Sequence, residues 1–105
     1  MTKKALILAT LAVALPAAQA LAADEMALAQ KSACTACHAV DKKVVGPAFK
    51  DVAAKYKGNA KAQAMLEEKV KKGGVGVWGQ VPMPPNSSVK DEDIKKLVAW
   101  VLSLK

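Results

Sequence analysis

One pentapeptide, Cys34-Thr35-Ala36-Cys37-His38, constrains this chain more than anything else in it. It gathers both cysteines and the only histidine of 105 residues into a single turn's length of chain. C-x-x-C-H is the spacing of covalent haem attachment: two thiols one helical turn apart add to the two vinyl groups, and the adjoining imidazole then lies against the iron. Two other chemistries use such a pair. A thioredoxin-like redox pair sits beside a βαβ pattern, which this sequence lacks. A structural zinc needs four ligands, and no further Cys or His exists to complete the set. The motif predicts one covalently bound haem c per chain, with Cys34 and Cys37 as thioether anchors and His38 as an axial iron ligand.

What remains to fold around such a group depends on how the chain begins. Lys3 and Lys4 precede an apolar run from Ala5 to Leu15, Pro16 interrupts it, and Ala20-Leu21-Ala22 offers a small-residue cleavage pattern. Residues 1–22 read as a secretory signal peptide cleaved after Ala22, leaving 23–105 as a single domain. An uncleaved anchor is the other reading, because Ala5 to Ala23 comes close to the minimum span of a bilayer. Export to the periplasm puts the chain in an oxidising compartment, where two Cys pair by default unless other chemistry claims them. The whole chain has only two Trp, one Tyr and one Phe, and Ala supplies much of its apolar content. So small a domain with so thin a core calls for a staple or a bound group. The charge comes from 16 Lys, with no Arg, against 9 acidic residues, for a net +7. No basic, aromatic-interleaved segment accompanies it, which argues against a nucleic-acid partner.

Punctuation and periodicity predict an all-α domain of four to five short helices. Asp24 can cap a first helix through Met26, Leu28 and Ala29 towards Cys34. Ala39 to Pro47 reads as a loop. Phe49, Val52, Ala53 and Tyr56 then share one helical face, and Gly58-Asn59 ends that helix. A third helix from about Ala60 aligns Ala62, Met65, Leu66 and Val70, placing Met65 in the core, and closes with Lys69, Lys71 and Lys72 before Gly73. From Gly73 to Ser88 the chain is rich in Gly and Pro and shows no strand alternation, so it reads as a long functional loop. The last helix follows Asp91, Glu92 and Asp93, with Ile94, Leu97, Val98 and Val101 as its apolar stripe, Trp100 beside it, and a Ser88–Asp91 capping box at its start.

Inventory narrows the sixth iron position. A second His is excluded, which leaves Met, Lys or water. Met26 lies on the helix that leads into Cys34 and cannot easily reach the opposite face of a haem, since a helix advances only about 1.5 Å per residue. Met83, in Val81-Pro82-Met83-Pro84-Pro85, is held by prolines that forbid helix and stiffen the backbone. Met83 is therefore the favoured second axial ligand, and a His/Met pair belongs to electron-transfer haems.

The chain resembles the short bacterial class I cytochromes c of the periplasmic c-551 group. The likeness is carried by Cys34 to Asp41, Val45 to Ala53, Gly76-Val77-Trp78-Gly79, and Pro82-Met83-Pro84-Pro85-Asn86. It implies an all-helical fold around one haem with His38 and Met83 as axial ligands. It further implies that the Pro47 carbonyl accepts the Nδ1 proton of His38, that Trp78 donates to a haem propionate, and that Asn86 bonds near the Met83 sulfur. Relatives often place Arg near a propionate where this chain has Lys69, a point charge without the bidentate fork. The stretch after Asn86 is one residue longer, with Lys90 where a capping Ser is expected. The function implied is a soluble, monomeric electron carrier, not an enzyme, shuttling between a membrane quinol-oxidising complex and a terminal reductase or oxidase such as a nitrite reductase. Val44, Val45, Pro82 and Pro84 would ring the exposed haem edge, and Lys31, Lys42 and Lys43 would steer acidic redox partners. The rival reading is a haem-based ligand binder or peroxidase with an open iron position. That reading needs a distal acid–base group, for which the sequence offers neither a second His nor any Arg.

Overall fold

A computed structural model describes the chain from Ala17 to Lys105, with side-chain environments from Asp24 onward. Residues 1–16 of the expected signal peptide lie outside the described residues. The order is α1 (Ala17–Lys31), a short 3-10 turn (Cys34–Ala36), α2 (Phe49–Lys55), α3 (Ala62–Lys72), β1 (Gly74–Gly76), β2 (Gly79–Met83) and α4 (Asp91–Ser103). Helix α1 starts upstream of Asp24, because the Ala-rich stretch before it is itself a strong helix former.

Helix α4 organises the domain by packing against α1, α2 and α3. Its stripe of Ile94, Leu97 and Val98 is buried as the period predicts, and Trp100 is buried with it rather than lying beside it. Ala29 of α1 is fully buried against Phe49, Leu97 and Trp100, and Met26 and Leu28 pack onto the same cluster. A small residue at 29 lets α1 approach α4 closely enough for the Trp100 ring to fill the gap. The rings of Phe49 and Trp100 meet edge to face, 5.5 Å between centroids, a favoured aromatic geometry.

Three sequence expectations change. The capping box is not made: Lys90 holds the cap position of α4 with no side-chain bond, and Asp91 instead pairs with Lys71 of α3 at 2.6 Å. An Asp at that position is too short to reach back, and the extra residue after Asn86 forms a turn closed by Val89 N–H to the Asn86 carbonyl. Met65 is not core, being 40% exposed, and of the residues of α3 only Ala62 is buried. The Gly73–Ser88 stretch also contains a two-stranded antiparallel hairpin, turning at Val77-Trp78, with Gly74 opposite Met83 and Gly76 opposite Gly79. Its strands are short, bulged and largely exposed. They therefore lack the period-2 pattern by which strands are recognised.

Candidate functional site

The pentapeptide folds into the turn its spacing requires. Ala33 sits in the left-handed region at φ 63° and redirects the chain out of α1. The Cys34 carbonyl then accepts from both Cys37 N–H at 3.2 Å and His38 N–H at 2.9 Å. Both thiols are unbridged. Burial pushes the Cys34 thiol above its ordinary pKa, the neighbouring Cys37 adds to the effect, and a backbone hydrogen bond partly offsets it.

The loop that follows wraps back over this turn. Val45 and Gly46 N–H groups donate to the Cys37 carbonyl at 3.2 and 2.8 Å, which brings Pro47 beside the imidazole. His38 Nδ1 lies 2.7 Å from the Pro47 carbonyl oxygen. A carbonyl can only accept, so Nδ1 carries a proton, and Nε2 is the nitrogen left to offer a lone pair. The ring is held on two sides. Phe49 stacks on it at 5.1 Å between centroids, 21° between planes. Gly46 lies so close that a Cβ there would stand 2.6 Å from His38 Cε1.

His38 forms one wall of a cleft with about 170 Å³ of free space. Cys34, Cys37 and Pro47 share that wall. Leu66, Lys69 and Val70 come from α3, Leu97, Val98 and Trp100 from α4, and the hairpin brings Trp78, Met83 and Pro84. Cys34, Cys37, His38, Pro47, Lys69, Trp78 and Met83 are thus brought to one cavity from positions spread over half the sequence. Asn86 is not on its wall. Its Nδ2 donates to the carbonyls of Val70 and Pro84, both at 3.2 Å, so its two amide protons serve the backbone that flanks Met83. Lys69 folds against Gly74. Lys55 Nζ stands 5.4 Å over the Trp78 ring, within cation–π range.

Haem fits these walls. They are apolar almost throughout, and they combine a tautomer-fixed imidazole, two free thiols and a thioether. These are the donor types of covalently attached haem. Lys69 contributes the one charged side chain of the lining among the described residues. Trp100 Nε1, buried there, has no hydrogen-bond partner within the protein.

Three features of the site were missed in the sequence. Gly46 reads as loop punctuation and Gly73 as a helix stop, yet each is a point of close approach, to His38 and to the Met83 carbonyl respectively. Nothing short of the fold reveals which atoms they approach. Phe49 reads only as core, and its stacking on His38 follows from α2 starting two residues after Pro47.

Comparison with known proteins converges on one assignment. The sequence model of the family described as Cytochrome c matches residues 22–105. Cytochrome c-551 of Allochromatium vinosum is 62% identical over 80 residues, covering 76% of this chain and 85% of that protein. Cytochrome c-551 of Pseudomonas aeruginosa is 52% identical over 86 residues, covering 82% of each. The crystal structure of Nitrosomonas europaea cytochrome c552 superposes with a TM-score of 0.74 at 55% identity, covering 76% of this chain and 99% of that one. Identities above one half, sustained across nearly the full length of these relatives, make the chain a member of the cytochrome c family: a small class I cytochrome of the c-551 group, carrying covalently attached haem c and serving electron transfer, not catalysis.

Proposed function

We propose that the chain is exported, loses residues 1–22, and acts as a soluble, monomeric periplasmic carrier of single electrons. Cys34 and Cys37 are its thioether anchors, and His38 and Met83 its axial ligands. The bound haem supplies a reversible one-electron Fe(III)/Fe(II) couple. The observation that carries the reading is the 2.7 Å bond from His38 Nδ1 to the Pro47 carbonyl, in the cavity that Met83 also lines. It orients the ring, leaves Nε2 free to bind metal, and raises its basicity.

The other residues have separable tasks. Leu97, Val98 and Val70 keep water off the cofactor, which disfavours added charge. Met83 favours the reduced state, so both effects raise the potential. With both axial positions filled by side chains, neither needs to move during transfer. Trp78 and Lys69, which also line the cavity, would be the groups to meet the propionates. Val44 and Val45 are about half exposed, at 48% and 49%, and Val45, Pro82 and Pro84 line the cleft. This small apolar patch suits a brief encounter. Lys31, Lys42 and Lys43 are all exposed and would draw in an acidic donor or acceptor, such as a quinol-oxidising complex or a terminal reductase. Among the described residues no helix is long and apolar enough to cross a membrane, and the family match begins at residue 22, beside the expected cleavage point.

Mass spectrometry of protein matured in a periplasm tests export and attachment together. A chain beginning at Ala23 and heavier by one haem is expected. An intact Met1 terminus would refute cleavage, and a haem lost on acid denaturation would refute the thioether role of Cys34 and Cys37.

A further inference from the structure

The end of α3 and the segment carrying Met83 meet at one point with no slack. Gly73 closes α3 at φ 77°, ψ −179°, a region essentially confined to glycine. A Cβ built on it would stand 2.5 Å from the Met83 carbonyl oxygen, 2.9 Å from Pro85 N and 3.1 Å from the Pro84 carbonyl carbon. All three are backbone atoms. They belong to a stretch with prolines at 82, 84 and 85, whose fixed φ angles leave few ways to bend aside. Asn86 seals the same junction from the far side. Its N–H donates to the Val70 carbonyl at 3.0 Å, and its side-chain amide bridges Val70 and Pro84.

We propose that Gly73 is a positioning residue for Met83: its missing side chain lets the end of α3 lie against the Met83 backbone, and so sets how far the thioether reaches into the cavity. The inference rests on Met83 being the sixth ligand. Moving the Met83 carbonyl from 2.5 Å to an ordinary contact of at least 3.4 Å requires a shift of about 1 Å. A site held by a fixed reach does not absorb a displacement of that size without loss.

Four haem-loaded proteins test it: the parent chain, Gly73→Ala, Gly58→Ala and Met83→Ala. Gly58 also has a positive φ, 78°, but nothing lies within 4 Å of a Cβ there, so Gly58→Ala carries backbone strain without the contact. Two quantities are read in each, the weak red absorption band of a sulfur–Fe(III) bond and the affinity of the ferric iron for added imidazole. In Gly58→Ala both should match the parent. In Gly73→Ala the band should fade and imidazole should bind roughly tenfold or more tightly, a difference of about 1.4 kcal/mol or more. A Gly73→Ala protein with the parent's band and imidazole affinity overturns the proposal while leaving Met83 ligation intact. A band that survives Met83→Ala overturns the ligation reading and the proposal with it. If Gly73→Ala does not take up haem, Asn86→Ala loosens the same junction without adding an atom. Imidazole should then bind several-fold more tightly, and an unchanged affinity overturns the proposal.

Discussion

Replacing Gly46 by Ala should damage the proximal side of the haem site through one added methyl group. Gly46 does not need a positive φ, so Ala is conformationally acceptable there and by itself brings about 0.4–1 kcal/mol from a less flexible unfolded chain. Against that, the new Cβ would lie 2.6, 3.0 and 3.1 Å from Cε1, Nδ1 and Nε2 of His38. The ring cannot retreat, because Phe49 is stacked on it, so overpacking costs about 1–3 kcal/mol. Any tilt also lengthens the 2.7 Å bond to Pro47, worth a further 0.5–1.5 kcal/mol or so. The net loss centres on about 2 kcal/mol, or roughly 8–16 °C in Tm for a domain of this size. Urea unfolding of the haem-loaded protein, followed by circular dichroism, measures it. A weaker Nδ1 bond also makes the imidazole less basic, so the reduction potential should rise. A loss below about 0.5 kcal/mol with an unchanged potential would show that Gly46 does not confine the ring.

Ile94→Ala, at a 2% exposed position, should cost about 2–5 kcal/mol in the same urea assay, with the red band retained in the folded fraction. Ala33→Gly relieves a left-handed Ala at φ 63°. That conformation costs Ala about 1–2 kcal/mol, partly offset by the greater freedom of Gly when unfolded, so stability should rise by about 0.5 kcal/mol. A clear loss would mean that the turn into Cys34 is not strained. Changing Lys42 and Lys43 together to Glu should slow oxidation of the reduced protein by ferricyanide several-fold at low ionic strength. The difference should vanish near 1 M salt, where screening reaches about 3 Å, and equal rates at low salt would remove these lysines from steering.

The parts legible in the sequence were those set by local chemistry. Cys34-Thr35-Ala36-Cys37-His38 announces its cofactor because the spacing itself is the chemistry. The stripe Ile94, Leu97, Val98 predicts a buried helix face because a period of 3.6 has few other meanings, and Gly73 after three lysines marks a helix end. What was not legible depends on contacts between distant segments. The β1–β2 hairpin is held by backbone pairing of two short strands, and no side-chain alternation betrays it. Met65 shares the predicted stripe of α3 with Ala62, yet only Ala62 is buried. Trp100 is core because Ala29, many residues away, leaves room for it. At the site, the His38–Pro47 bond was expected from resemblance, whereas the pairing of Asn86 with the Val70 and Pro84 carbonyls was not. It arises from the end of α3 lying against the Met83 segment.

The central claim is that His38 and Met83 close both faces of the iron, so that only electrons pass. The visible spectrum of the reduced protein before and after carbon monoxide tests it most directly. A sharp low-spin c-type spectrum that carbon monoxide leaves unchanged is the expected result. A high-spin spectrum that shifts on adding the gas would mean an open sixth position, and would favour a ligand-binding haem protein over a carrier.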